Sequence, residues 1–385
     1  MLFRSLWYAP TGVDPLIFRQ WWSFLGPAYD DKEELKARGV KWVPEVQKWL
    51  VPSRLDFDDY TKWWPRDLKQ YVFHDRFICH NLTAESGQSE VFKAWDLKDS
   101  AWVAIKLFNK AIGSNPTSET AFKREHTALL ELDGHENILE LLDWGEHETS
   151  QRKFTVTPWI DYTLSDLFMD EEDLIRIFYR DLERKIEWDW TEDEFVQEVL
   201  AEEYDPWLDE YEYLLGPILD GLVHAFDRDI IHRDLKPANI FYKLDVSEDE
   251  EGEIIINQIV KIGDFGAAKL MNMDVPKQTT VVDLYTEPWT PHPSEKERLF
   301  QYTWDVFSWG VIAIASVTNK SPGTYEDTQR LLDREFKQKI GENIHTLLAR
   351  TVSQDPEQRP QNVKLLQKEI LKLKHCIWDI LLKTY

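Results

Sequence analysis

Between Tyr71 and Leu107 apolar residues alternate with polar ones in two short runs, EVFKAWD and WVAIKLF, separated by LKDSA. A period of two on either side of a polar break predicts a strand, a turn and a strand. From Ser118 to Leu132 a start mixing acids and bases leads to Leu129, Leu130 and Leu132, and Gly134 ends the run as a helix stop. Several strands followed by one helix are expected. Further on, FYKLDV and IIINQIVKIG read as strands, and the acidic run SEDEEGE from Ser247 to Glu253 reads as the tip of the hairpin joining them. Residues 1–65 hold many tryptophans, and prolines bracket short runs such as GVKWVPEVQKWLVP, which suggests a small module of its own.

Charge concentrates between Asp170 and Glu212, where eighteen Asp or Glu stand against four Lys or Arg and supply over half of the net charge of −25. Trp188, Trp190, Phe195, Trp207 and Tyr211 are interspersed, so helices with a narrow apolar face are expected there rather than a disordered tail. The plain reading of such a run is a solvated helical insertion. The overall charge argues against nucleic acid or an anionic membrane as the main partner, because both would repel it. It permits basic partners.

With 385 residues, 43 % of them hydrophobic, the chain can bury one large domain and have about 60–70 residues over. Two cysteines, Cys79 and Cys376, are too few for a disulfide framework or a four-ligand zinc site, which fits a reducing cytoplasm. The first twenty residues carry Pro10, Asp14 and Pro15 where a signal peptide needs an apolar core. The longest apolar stretch, around Val311 to Val317, is about seven residues, against the roughly 20 needed to span a membrane.

The stretch IIHRDLKPANI, from Ile230 to Ile240, sets an acid, a base and an amide at short spacing: Asp234, Lys236 and Asn239. IGDFGAA then adds Asp264. Upstream, WVAIKLF places Lys106 on a strand, where a lysine aimed into a cleft is costly unless it meets a phosphate or a carboxylate. Glu125, which shares a helical face with Leu129 and Leu132, is the expected partner; Glu119 and Glu131 fit less well.

HRDLKPAN followed by DFG, over a stretch from about residue 70 to the end of the chain, resembles the signature of the eukaryotic-type (Hanks-type) serine/threonine protein kinases. The resemblance implies an α+β, bilobal fold: a small antiparallel-sheet lobe with one main helix, a larger helical lobe, and ATP in the cleft between them. Domain boundaries follow as 1–66 for the small Trp/Pro-rich module and 67–385 for the kinase, with lobes at 67–157 and 158–385 and the acidic insertion at 170–212. It further implies transfer of the ATP γ-phosphate to protein hydroxyls, with Asp234 as the proton acceptor and Lys236 steadying the transferring phosphate. Asn239 and Asp264 would hold Mg2+. Leu82, Ala84, Ser86, Gly87, Ser89, Val91, Ala104, Lys106, Glu125 and Thr157 would form the ATP site. The lysine two places after Asp234 is the serine/threonine form. TWDVFSWGVIAIA resembles the buried central helix of the large lobe, in which Asp305 would hold the backbone of the catalytic loop; His232 and Phe265 would be buried packing residues in line with Leu129.

Two departures accompany the resemblance. Counting back from Val91, the three glycine places of the phosphate-covering loop hold Ala84, Ser86 and Ser89, and the one nearby glycine, Gly87, is a position off. Nucleotide affinity is expected to be weaker as a result. The activation segment ends YTEPWTPHPSE, where Thr286 matches the substrate-side threonine but Pro293 falls where a glutamate belongs, so that Arg359 would lack its buried partner unless Glu295 replaces it. Arg233 beside Asp234 could be organised by a phosphate on Thr279 or Thr280. These departures leave a second reading, a pseudokinase scaffold that binds nucleotide or a partner without phosphoryl transfer. A third makes the insertion at 170–212 a partner surface, and is compatible with either. The run from Tyr29 to Pro65 resembles a short bacterial module of unknown function that pairs a charged helix with a hairpin rich in tryptophan and proline. In it Trp42, Trp49, Trp63 and Trp64 are expected to form a mini-core.

Overall fold

The computed structural model describes residues 32–37, 41–43 and 48–50; 72–109 and 117–168 apart from 75, 87, 97, 100 and 149; 175, 178–179, 191–193 and 196–197; and 207–248, 254–271, 286–292, 299 and 301–384. The chain divides into two compact units, residues 1–109 with 144–156, and residues 110–143 with 157–385. The first is built on an antiparallel sheet and the second is mainly helical, the α+β composition expected from the sequence.

In the first unit, a short helix α1 (Lys32–Ala37) and a hairpin of β1 (Lys41–Val43) and β2 (Lys48–Leu50), with Trp42 opposite Trp49, occupy part of the N-terminal run. Trp63 and Trp64 lie outside the described residues. A six-stranded sheet follows, formed by β3 (Val72–Phe73), β4 (Phe77–Glu85), β5 (Ser89–Asp96), β6 (Ala101–Phe108), β7 (Asp143–His147) and β8 (Arg152–Pro158), in the order β3-β4-β5-β6-β8-β7. Alternation of the sequence becomes alternation of faces: Phe92, Ala94, Val103, Ile105 and Leu107 are buried, while Val91, Lys93, Ala104 and Lys106 are half-buried between them. The register sets Val91 opposite Lys106 and Lys93 opposite Ala104, so Val91, Ala104 and Lys106 share one face. Buried Asp96 closes the β5–β6 turn by accepting from Arg76 Nε at 2.8 Å and from the Lys98 backbone N–H at 2.9 Å.

The second unit opens with α2 (Thr117–Glu131), which packs against the turn Phe265–Ala267; Gly134 follows it at φ +82°, a left-handed position that a side chain would strain. Next come β9 (Tyr162–Thr163) and the one-turn helix α3 (Leu164–Leu167), then α4 (Gly216–Phe226) and β10 (Ile230–Ile231). Two long strands, β11 (Ile240–Glu248) and β12 (Ile254–Ile262), pair from Ile240 opposite Ile262 out to Glu248 opposite Ile254; residues 249–253 of the acidic run lie outside the described residues. The short β13 (Lys269–Leu270) pairs with β10. Within the acidic insertion, Ile175, Tyr179 and Val196 are helical and buried, and Phe178 stacks on Tyr242 of β11 at 5.7 Å. An apolar face under a charged surface was the expectation for this segment; Trp188, Trp190 and Phe195 lie outside the described residues.

The core gathers on α5 (Trp304–Thr318), all of whose residues are buried. An apolar helix with no polar stripe has no face for water and must be surrounded by protein. Around it lie α4, α6 (Tyr325–Arg330), α7 (Glu342–Thr351) and α8 (Val363–Thr384). Trp309 of α5 donates its indole N–H to Leu215 O at 3.0 Å. Gly310 lets α7 approach closely: a Cβ there would stand 2.6 Å from Thr351 Cγ2 and 2.9 Å from Val352 Cγ1. Gly310→Ala is therefore expected to lower stability by about 1–3 kcal/mol, as overpacked cores do, read as a lower urea midpoint with an unchanged slope.

Candidate active site

The segment between β10 and β11 turns as it passes from the two-stranded β10-β13 sheet to the three-stranded sheet β12-β11-β9. Arg233 takes φ 66° to make that turn, a conformation that costs a residue with a side chain about 1–2 kcal/mol. The turn is held by Asp305 at the start of α5, whose Oδ2 accepts the His232 backbone N–H at 2.8 Å and whose Oδ1 accepts that of Arg233 at 2.9 Å. Burial pushes the Asp305 carboxyl upward, while the two backbone N–H donors and the Arg233 charge pull it back. His232 is fully buried; its Nδ1 accepts from the Asp234 N–H at 3.3 Å, so the ring proton is on Nε2 and goes to Gly263 O at 2.9 Å. His232 stacks at a tilt on buried Phe265, 4.6 Å between ring centres, in the same core as Leu129. The packing roles expected for all three are what the fold gives them.

Asp234 is the hub of the site. Lys236 Nζ donates to its Oδ2 at 2.8 Å, and the Thr286 hydroxyl donates to its Oδ1 at 3.0 Å. Asn239 Nδ2 donates to the Asp234 carbonyl at 2.8 Å, which leaves Asn239 Oδ1 as the side-chain atom able to meet a cation. Asn239 O accepts the Gly263 N–H at 3.0 Å, fixing the chain one residue before Asp264. Asp264 has φ 57° and accepts from Gly266 N at 3.4 Å. The sequence-predicted set Asp234, Lys236, Asn239 and Asp264 is thus assembled by one loop and the strand end beside it. One carboxylate and one amide oxygen suit Mg2+, which keeps several waters and completes its shell with phosphate oxygens.

The remaining candidates are placed by their own elements. Lys106 lies on β6, its Nζ 5.4 Å from the Phe108 ring centre. Glu125 is buried on α2 close to the 265–267 turn; a Cβ at Gly266 would be 3.6 Å from its Oε2. Lys106 belongs to the first unit and Glu125 to the second. Leu82 is exposed opposite Phe92, Ala84 is opposite Val91, Ser89 is buried, and Thr157 is buried near the end of β8. Gly87, Thr279, Thr280, Pro293 and Glu295 lie outside the described residues. Arg359, expected to lack its usual partner, donates Nε to Ser353 O at 2.8 Å and Nη1 to the Thr303 hydroxyl at 3.3 Å, with its guanidinium 4.8 Å from the Phe307 ring centre.

Residues 85–374 match the protein kinase domain model. The chain belongs to the protein kinase family. Among its relatives, a probable serine/threonine-protein kinase of Clostridium perfringens is 24 % identical over 317 residues, covering 79 % of this chain and 39 % of the relative. Serine/threonine-protein kinase pkn3 of Myxococcus xanthus is 23 % identical over 310 residues (77 % and 49 %), and the probable serine/threonine-protein kinase PknB of Corynebacterium glutamicum 26 % over 253 residues (66 % and 33 %). The kinase chain therefore spans half or less of the length of these relatives.

One residue of this kinase escaped the sequence reading. Arg124, buried on α2 next to Glu125, acts electrostatically on Arg233, and burial lowers its pKa. Burial, with Arg124 adding to it, brings the Arg233 guanidinium down to about 10, while its Nη2 is buried with no hydrogen-bond partner among the described residues. A lone arginine in a charged helix start carries no sequence signal; only packing brings the two cations together.

Asp305→Ala is expected to strand two backbone N–H groups, at about 1–3 kcal/mol each. A substantial drop in melting temperature, with transfer lost in the protein that remains folded, is the outcome to measure.

Proposed function

We propose that this chain is a serine/threonine protein kinase that moves the γ-phosphoryl group of ATP to protein hydroxyls, its own among them. The observation that carries the reading is the pair of bonds at Asp234: one oxygen on the Lys236 ammonium, the other receiving a threonine hydroxyl at 3.0 Å. That is the geometry a base needs to accept the proton of a substrate hydroxyl, within ordinary hydrogen-bond reach. In the step, the hydroxyl oxygen bonds to the γ-phosphorus, the bond from that phosphorus to the ADP oxygen breaks, and the proton passes to Asp234. Lys236 offsets negative charge on the transferring group, and Thr286 keeps Asp234 oriented between turnovers. Asn239 and Asp264 would hold Mg2+, which supplies neutralisation of the developing charge on the phosphates. Lys106 is assigned to the ATP phosphates, Val91 and Ala104 on its face of the sheet to the base, and Thr157 to the edge of the adenine site. A scaffold without transfer is disfavoured, because the residue types that would touch the reacting atoms are all present in the chain, and Asp234, Lys236 and Asn239 are bonded to one another.

Among the described residues no helix is long and apolar enough to cross a membrane. A cytoplasmic location, the N-terminal run 1–66 as a separate module, and a preference for basic protein substrates complete the proposal, the last resting on the net charge of −25. Arg233 and Arg124 give a phosphorylated Thr279 or Thr280 a place to dock, since an anion there would relieve two buried like charges.

Asp234→Asn is expected to lower transfer of labelled phosphate from ATP by about 100-fold or more, the usual worth of a positioned base, with MgATP binding retained. Undiminished transfer in this variant would remove Asp234 from the chemistry. Mass spectrometry of the active wild type should find phosphate on Thr279 or Thr280, and its absence would end the docking role of Arg233.

A further inference from the structure

The turn between β4 and β5 stands where kinases cover the ATP phosphates, and in this chain its own side chain fills the oxygen site. Ser86 Oγ accepts the backbone N–H of Gln88 at 3.2 Å and that of Ser89 at 3.1 Å. The Ser86 N–H is itself bonded to Ser89 O at 2.8 Å. Amide groups converging on one point form a cradle for an anionic oxygen, which is how a flexible phosphate loop holds its ligand. Here the point is taken by a hydroxyl oxygen of the loop, in the manner of a serine turn.

The surroundings keep the turn in that shape. Asn109 Nδ2 donates to Ser86 O at 3.3 Å and the Asn109 N–H to Gln88 O at 2.8 Å. Arg152 Nη2 donates to Asn109 Oδ1 at 2.6 Å, and the same guanidinium holds Leu107 O, Phe108 O and the Glu90 carboxylate. A glycine at position 86 could make none of the side-chain bonds, so the closure follows from the serine that replaces it.

We propose that Ser86 is an affinity-determining residue for nucleotide phosphates: its hydroxyl occupies the amide cradle of the phosphate loop, and ATP must displace it to bind. The proposal rests on the kinase reading. The effect is confined to ligands with phosphates, because adenosine makes no demand on the cradle. It also gives a direction opposite to that of a helpful hydroxyl, which would reach out to the phosphate and strengthen binding.

The test compares MgATP, MgADP and adenosine binding by titration calorimetry, together with the KM for ATP, in wild type and in Ser86→Ala, Ser86→Gly and Ser86→Thr. Backbone at Ser86 is not left-handed and the side chain is exposed, so alanine fits without strain. The expected result is a Kd for ATP and ADP lowered by about three- to tenfold in the alanine and glycine variants, the net worth of roughly one hydrogen bond. Adenosine affinity stays constant, threonine restores the weaker wild-type binding of ATP and ADP, and KM falls by more than kcat changes. Wild type that binds and transfers, with alanine and glycine variants that bind ATP equally or less tightly, would overturn the proposal and leave the kinase reading intact. No MgATP binding and no transfer in any of the four proteins would take down the kinase reading and this proposal together.

Discussion

The carboxylate of Asp305 sits at the head of a helix with no exposed face, and it accepts the backbone N–H groups of His232 and Arg233. Everything at the site hangs from those two bonds. They hold a residue at φ 66°, which directs the next residue, Asp234, away from the core and toward Lys236 and Thr286. A buried carboxylate is tolerable only when its oxygens are satisfied, and a left-handed arginine only when the surroundings over-determine it. Each cost is offset by the other group. The arrangement is rigid for that reason, and a base must be rigid to orient a hydroxyl.

Around this fixed point the site shows two kinds of polar order. Asp234, Lys236, Asn239 and Thr286 are mutually bonded. Arg233 and Arg124 form the other kind: two buried cations, of which burial and the Arg124 charge lower the pKa of Arg233, with Arg233 Nη2 unpaired among the described residues. A satisfied network keeps its geometry, whereas an unbalanced pair of buried charges favours whatever anion arrives. The groups around Asp234 are thus bonded to one another in advance, and the proposed docking of a phosphate would act at the arginine pair.

Much of this was legible in the sequence because short-range patterns fix it. HRDLKPAN and DFG lie within the 35 residues from His232 to Gly266, and the family resemblance they carry proposed their roles. The alternation in EVFKAWD and WVAIKLF set the faces of β5 and β6, and the resemblance of TWDVFSWGVIAIA to a buried central helix pointed to α5. The loop at 84–89 could be read only as a departure from glycine. Whether Ser86 helps or hinders a phosphate depends on where its hydroxyl points, and the structure turns it onto the backbone N–H groups of Gln88 and Ser89. Arg359 is a similar case: the loss of an acid at its expected place is plain in YTEPWTPHPSE, but its bonds to Ser353 and Thr303 come from a turn and a helix start that the sequence does not align.

By itself, then, the sequence determined the strands β5 and β6 and their faces, since periodicity acts over a few residues, and its resemblance to a family proposed the reacting groups. Tertiary structure alone decided the tautomer of His232 and the pairing of two arginines. These depend on hydrogen-bond partners and buried charges brought together from remote parts of the chain, whose energies are set by distance and burial and leave no local pattern to read.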